Sequence, residues 1–537
     1  MAVNKKIVLQ VLILLVSVFV LYGQYLENPI IFDDLPFFYG NGFDMQPVSI
    51  YQFDWLQIRS FPYATFAWTK ALSELNIVQM RLGNIVIHAA TVCVLYLFLK
   101  ELIKYSHKAE GVIYKNSNWF AFYASLIFAV HPVATYAVGY LIQRTILMAT
   151  LFSLLALLTY LRGSVGNKSI LMWLCVPFYY LAVFSKEHAI MLPAVIAALT
   201  IAMHDDWLTR LRQRRWIFTS MLVVAGTVVL AKRGVIGSVY EPNGAVMLGA
   251  DQVAMAYPMS VITQAGMFFK YIFLWLLPNP AWMSIDMREP FADGFLSIYG
   301  LAAAGFIFWG ILGGWLLFKR DRKALAGFGM IFPWLMFMTE FSVVRIQDIF
   351  VLYRSYIWVI GGFCVFPALI EGVDIRKLII FGSSIVFFLF GFSMERLVTM
   401  SHPLLVWDDA EKLIQNHTHL SGAYRIYNNR GTELLKIDQT DRAIADFNLA
   451  MKLSGEYAEA RGNIGMAYLK KQEWEKSSTS FSRAIKIRQM SGKAVDPYYY
   501  FGRAHAYEGW GHLPDAKADY EVSCRLARLG CEKLPSD

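Results

Sequence analysis

Up to about residue 400 the chain runs in apolar stretches of roughly twenty residues, long enough to cross a bilayer, separated by short polar segments. Beyond that point apolar positions recur three and four apart, the period of amphipathic helices. In the first stretch, "KKIVLQVLILLVSVFVLYGQYLENP", Lys5 and Lys6 precede the apolar run, and no clear small-x-small cleavage site follows. It reads as an uncleaved first span with a cytoplasmic N-terminus. Hydropathy places further spans at roughly 79–99, 118–135, 145–162, 169–184, 188–204, 216–231, 300–318, 325–341, 355–370 and 377–394, about eleven in all. Alternation from the inside puts "KELIKYSHK", "RGSVGNKS", "HDDWLTRLRQRRW", "KRDRK" and "EGVDIRK" in the cytoplasm. These are the most basic short loops, so charge bias and alternation agree. The odd count leaves the C-terminal part outside, together with "FDDLPFF", "HPVATYAVGYLIQR", "SKEHA" and "SVVRIQDIFVLYR". Residues 259–290 are also apolar enough to enter the membrane. Parity holds only if they stay at the outer interface or form a re-entrant pair, and Lys270 among aromatics suits an interfacial helix.

The C-terminal part repeats itself. "YRIYNNRGTELLKIDQTDRAIADFNLAMKL" begins at Tyr424 and "AEARGNIGMAYLKKQEWEKSSTSFSRAIKI" begins at Ala458. "PYYYFGRAHAYEGWGHLPDAKADYEVSCRL" follows from Pro497. Small and aromatic residues coincide at Gly431/Gly465/Ala504, Leu434/Tyr468/Tyr507, Ala443/Ser477/Ala516, Phe447/Phe481/Tyr520 and Ala450/Ala484/Ser523. That period and pattern resemble the tetratricopeptide repeat, a helix pair whose small residues allow close approach. Three copies, 424–457, 458–496 and 497–530, predict an α-solenoid. The fold class is therefore all-α: a polytopic membrane domain over 1–400 and a repeat domain over 401–537.

Composition sharpens this picture in three places. The 17% of charged residues falls well below the usual quarter of a soluble domain, and the shortfall lies before residue 400. The net charge of +9 sits in short loops and not in a basic stripe interleaved with aromatics, which argues against a nucleic-acid partner. Of five cysteines, Cys93, Cys175 and Cys364 lie in apolar runs. Cys524 and Cys531 would stand about 10 Å apart on an unbroken helix, too far to bridge unless Gly530 ends it. No metal-ligand set is evident; metal dependence is left open.

Ionisable residues near the outer ends of the spans are the candidates for chemistry. Asp33 and Asp34 sit among Phe32, Leu35, Pro36, Phe37 and Phe38. They are either a hydrated helix-exit pair or a carboxylate base in a pocket, with a slight preference for Asp34 as the base. Arg144, Lys186, Glu187, Arg354 and His131 gather at the same face. Snorkelling accounts for any one of them, but less well for a cluster opposite two acids. Asn84 and His88, four apart on one helix, read as makers of interhelical hydrogen bonds.

In order along the chain, "FDDLPFF", "RSFPYATFAW" (which begins at Arg59), "RLGNIVIHAATVCVLYLFL", "FAVHPVATYAVGYLIQRTILMATLFSLLALLTYLR", "FSKEHAIMLPAVI", "ITQAGMFFKYIFLWLLP" and "VLYRSYIWV" resemble the GT-C glycosyltransferases. Within them the chain is similar to the transmembrane-and-tetratricopeptide-repeat O-mannosyltransferases and their bacterial relatives. The resemblance implies inverting transfer from a polyprenyl-phosphate sugar to a hydroxyl, with Asp33 or Asp34 as base. Arg144, Lys186 and Arg354 would hold the donor phosphate, and His131, Glu187 and Arg59 would support them. Further implications are an exported acceptor protein, a pilin for instance, bound by the repeats; no required cofactor besides the lipid-linked donor; and no nucleic acid. Compact size and short basic loops look bacterial. They favour undecaprenyl phosphate as carrier, an inner-membrane location and periplasmic repeats. The sugar stays unnamed, since the "LIQR" region departs from the family pattern. Two rivals stand beside this reading: block transfer of the O-antigen-ligase or oligosaccharyltransferase type, which prefers a large late loop, and a non-enzymatic envelope scaffold, which would need one span only.

Overall fold

The computed structural model describes residues 5–39, 54–106, 117–239, 255–319, 322–369, 373–455 and 457–534. Parts of three basic loops, 107–108, 320–321 and 371–372, lie outside the described residues. Among the described residues the secondary structure is helical apart from one isolated bridge between Val239 and Val344. The chain divides into two compact units, Met1–Ile285 with Phe291–Ser401, and Asp286–Pro290 with His402–Asp537.

In the first unit eight described helices are long and apolar enough to cross a membrane: Lys5–Tyr25, Ile77–Ser106, Leu141–Gly166, Arg215–Lys232, Ala256–Leu276, Ile298–Leu317, Lys323–Ser342 and Ile375–Thr399. Asn118–Ala129 and Pro132–Val138 form a ninth apolar segment, bent by 62°. The bend follows from Pro132, which cannot donate to the preceding turn, and from His131, whose ring caps the second piece by accepting from Val133 N–H at 3.2 Å. Ser169–Ser185 and Glu187–Met203 are shorter apolar helices. Leu141–Gly166 is 78% buried and lies at the heart of the unit. Arg215–Lys232 and Ile375–Thr399 are each only 17% buried, so they turn apolar side chains outward as lipid-facing helices do.

Besides the bend in 118–138 and the shortness of the helices expected as spans at 169–184 and 188–204, two segments differ from the hydropathy reading. The run 355–370 is not a spanning helix. It consists of two 3₁₀ segments, Leu352–Tyr356 and Val359–Cys364, and the short helix Phe366–Leu369. Gly361, Gly362 and Pro367 weaken any continuous helix there. Tyr356, Ile357, Trp358, Ile360 and Cys364 are buried in protein, so the run is apolar because it packs inside the unit. Conversely, Ala256–Leu276 is one unbroken helix of 21 residues. Its polar side chains follow the 343–355 segment along its whole length. Ser260 Oγ reaches Val343 O at 3.4 Å, Gln264 donates to Ile349 O at 2.9 Å, and Tyr271 bonds to Val351 N and O at 3.0 and 2.8 Å. Trp275 Nε1 donates to Ser355 Oγ at 2.9 Å.

The second unit contains the helix Pro403–Ile414 and three helix pairs: Ala423–Lys436 with Thr440–Ser454, Ala458–Lys470 with Trp474–Met490, and Pro497–Trp510 with Leu513–Ala527. The small residues of the repeat pattern stand where aromatic rings cross. A Cβ on Gly431 would lie 2.7 Å from the Phe447 ring, and one on Gly465 would lie 2.9 Å from Phe481. Phe447 and Phe481 are fully enclosed, each worth about 2–3 kcal/mol of transfer energy. Arg430 pairs with Asp446 through two bonds of 2.7 and 2.9 Å, and Arg503 with Asp519 through bonds of 2.6 and 2.8 Å. The last helix stops at Ala527 as Arg528 turns left-handed, and Gly530 follows at φ 73°. The chain folds back so that the Cα atoms of Cys524 and Cys531 come to 5.0 Å and the two are disulfide-bonded.

Candidate functional site

The first spanning helix gives way to a turn in which Phe32 takes φ 52°, a conformation that costs an L-residue about 1–2 kcal/mol, and the short helix Asp34–Phe38 follows. Phe37 and Phe38 anchor that helix, their rings 6.1 and 5.2 Å from Phe66, in a cluster with Ile30, Met80 and Leu141. With this face fixed, the two acids diverge. Asp34 is buried, and its carboxylate accepts from the backbone N–H groups of Leu141 at 3.0 Å and Ile142 at 2.7 Å. Burial pushes its carboxyl up to about 7, against the pull of those two bonds and of Arg81. Arg81 in turn donates to Gly139 O at 2.5 Å and to Asn28 O at 2.7 Å, tying the first loop to the 139–143 turn. Asp33 is exposed. Its N–H donates to the Tyr140 hydroxyl at 2.8 Å, and that hydroxyl also hydrogen-bonds to its carboxylate. Burial, reinforced by the two acids, raises the Tyr140 phenol well above its usual range, so it remains a donor.

Tyr140 leads to the basic groups. Its ring lies 6.2 Å from that of Tyr353, which has Asp33, Arg59, Asp348 and Arg354 within electrostatic reach. Lys186 Nζ stands 5.4 Å from the centre of the Tyr353 ring and 3.5 Å from Thr145 Oγ1. The break between the helices Cys175–Ser185 and Leu192–Met203 holds it there, since Lys186 adopts extended backbone. Burial pushes this ammonium down to about 7, and Arg59, Arg354 and Arg345 add to the effect while Glu187 opposes it. Arg59 and Glu187 form an ion pair, both partly exposed. Arg354 donates to Asp348 O at 3.1 Å and lies 3.5 Å from Glu340. Glu340 also hydrogen-bonds to His188 Nε2 at 2.8 Å and forms an ion pair with Arg345, whose Nε lies 3.3 Å away. Asp33, Lys186, Arg354, Arg59 and Glu187 thus share one locality. Its remaining members, Tyr140, Tyr353, His188, Glu340 and Arg345, were missed from sequence. The two tyrosines carried no charge signal, and Glu340 lies at the end of an apolar helix.

Arg144 and His131 have other occupations. Arg144 donates to Asn84 Oδ1 at 2.8 Å, Thr65 Oγ1 at 2.9 Å and Met80 O at 2.5 Å, with its guanidinium 3.7 Å over the Phe66 ring. His131 stacks on Trp275 at 4.1 Å and bonds to Trp275 O at 3.0 Å. Asn84 donates to Leu141 O, and His88 bridges Tyr356 and Ala129 O; these are hydrogen bonds between elements, as the spacing on one helix face suggests.

A carboxylate open to solvent can accept a proton from a hydroxyl, and a nearby group of cations can receive a negatively charged leaving group. Residues 424–457 match the family model described as Tetratricopeptide repeat. The human (Homo sapiens) protein O-mannosyl-transferase TMTC3 is 34% identical over 113 residues, which are 21% of this chain and 11% of that protein. The match therefore spans a small part of the relative's length. The chain is an all-helical protein with several membrane-capable helices and a tetratricopeptide repeat in its C-terminal unit.

Proposed function

We propose that the chain is an inverting GT-C-type glycosyltransferase, moving one sugar from a polyprenyl-phosphate donor to a Ser or Thr hydroxyl of an exported protein. The observation that carries this reading is the exposed Asp33 carboxylate, joined through Tyr140 and Tyr353 to Lys186 and Arg354. The similarity to a protein O-mannosyl-transferase supports sugar transfer to protein, with mannose not assumed.

In this reading Asp33 takes the proton of the acceptor hydroxyl while Tyr140 fixes the carboxylate. The hydroxyl oxygen attacks the anomeric carbon, and the bond from that carbon to the lipid phosphate oxygen breaks on the opposite side. The electron pair leaves on the phosphate, whose charge Lys186 and Arg354 receive. Burial pushes the Lys186 ammonium down, and an approaching anion favours its charged form. Asp34 is buried and each of its oxygens accepts a backbone N–H that holds the 141–142 turn, which supports Asp33 as the base. Arg144 acts as a strut between helices, and the donor phosphate falls to Lys186 and Arg354.

Residues 1–400 would form the transferase and 401–537 the acceptor-binding repeats, with a pilin as one candidate acceptor. The proposed setting is a bacterial inner membrane, with the N-terminus in the cytoplasm and the repeats in the periplasm. A Cys524–Cys531 bridge fits an oxidising compartment. The test is the intact mass of envelope glycoproteins, pilins included, from cells with and without the gene. Loss of a sugar-sized mass from one exported protein is expected. Unchanged masses throughout would overturn the reading.

A further inference from the structure

A second polar site lies on the basic segment "HDDWLTRLRQRRW" of the first unit, apart from the residues discussed above. The helix Trp207–Gln213 ends at Arg214, and Arg215–Lys232 begins directly after it. Arg214 turns inward and is buried, donating to the Tyr160 hydroxyl at 3.0 Å and Ser164 Oγ at 2.8 Å, while Arg210 pairs with Asp206 at 2.7 Å. These bonds pin the turn and leave Arg212 and Arg215 on its exposed side. Between them is a cavity of about 390 Å³ lined by Thr209, Arg212, Gln213, Arg215 and Trp216. Among the described residues neither Arg212 nor Arg215 has an acidic partner; Arg215 instead lies 5.4 Å over the Trp216 ring. Trp207 meets Phe318 at 5.7 Å, which brings the Lys319 end of the Ile298–Leu317 helix alongside.

The cavity therefore combines two uncompensated guanidinium groups, a hydroxyl and an amide with an exposed Trp216, at the polar end of a helix that is 17% buried and turns its apolar side chains outward. Guanidinium groups bind phosphate oxygens in pairs, and tryptophan settles at headgroup level. We propose that this cavity binds the phosphate of an acidic phospholipid headgroup. Arg212 and Arg215 hold its oxygens, Thr209 and Gln213 donate further hydrogen bonds, and Trp216 lies beside the upper acyl chains. A soluble phosphate would use the same arginines but would gain nothing from Trp216 or the apolar helix.

The experiment is native mass spectrometry of the full-length protein with phosphatidylglycerol or phosphatidylcholine, with inorganic phosphate as competitor. The expected result is preferential retention of phosphatidylglycerol, unaffected by millimolar phosphate and weakened about thirtyfold by Arg212→Ala with Arg215→Ala. The corresponding pair of lysine substitutions should keep most of the preference. Equal retention of the two lipids, wild-type binding by the alanine pair, or displacement by inorganic phosphate would each overturn the proposal, the last in favour of a free anion. Both arginines are exposed, so an unchanged melting temperature is expected and separates lost binding from lost fold. None of these outcomes depends on sugar transfer.

Discussion

Replacing Asp33 and Asp34 one at a time by asparagine separates chemistry from support. Asp33→Asn removes the proposed base and leaves an exposed side chain of the same size. A positioned general base contributes about 10²–10⁴-fold, so turnover should fall by that factor with melting unchanged. Asp34→Asn keeps one acceptor oxygen but turns its NH₂ toward the backbone N–H of Leu141 or Ile142. A buried N–H without a partner costs about 1–3 kcal/mol. Asparagine also removes a charge that burial disfavours, which offsets part of that loss. The net cost near neutral pH is about 1–2 kcal/mol, a few degrees in Tm.

The pH dependence gives this a second signature. Folding raises the Asp34 carboxyl to about 7 from its ordinary 3.8. The stability it contributes is therefore full below the unfolded pKa and is lost as pH rises through the folded value. The gap in Tm between wild type and Asp34→Asn should be widest near pH 4 and smallest above pH 7. Turnover would be followed as transfer of a labelled sugar from its polyprenyl phosphate in nanodiscs, with melting by intrinsic fluorescence on the same samples. Full activity in Asp33→Asn, beside an inactive Asp34→Asn with wild-type melting, would refute the assignment.

Two further outcomes follow from the geometry. Lys186 is held near 7 chiefly by burial, so it loses its proton as pH rises above neutrality; the donor KM should climb between pH 7 and 9, and Lys186→Arg, which stays charged, should flatten that profile. A KM indifferent to pH in the wild type would remove Lys186 from donor binding. In the repeats, Phe481 touches the positions of Gly465 and Gly502 and is fully enclosed; Phe481→Ala should cost the second unit about 3–5 kcal/mol in chemical denaturation, and a loss under about 1 kcal/mol would show that the ring does not key the repeats together.

Local pattern made much of the fold legible. The repeat is visible because each copy must place a small residue against the same ring, as Gly431 does against Phe447 and Gly465 against Phe481. The spanning helices are visible because lipid demands a long apolar run. That signal misleads where apolar residues are buried by protein. The 355–370 run is as apolar as a span, yet it is folded into 3₁₀ turns in the interior. The Arg430–Asp446 and Arg503–Asp519 pairs went unnoticed because their members are 16 residues apart on separate helices.

The site shows where such reading stops. "DD" is symmetrical on paper, but neighbouring residues on a helical turn point about 100° apart, so only one can face the core. Which one does so is set by Phe37 and Phe38 in the Phe66 cluster, and the partners that receive Asp34 lie 107 and 108 residues away. His188 and Glu340, which also meet, are separated by 152 residues. An ionisable residue at a helix end therefore announces a polar locality but not its task. The task follows from what is left after the backbone has taken its hydrogen bonds. Each Arg144 nitrogen already donates to Asn84, Thr65 or Met80, and each Asp34 oxygen already accepts a backbone N–H. Asp33, the exposed member of the pair, is the one an incoming hydroxyl can reach.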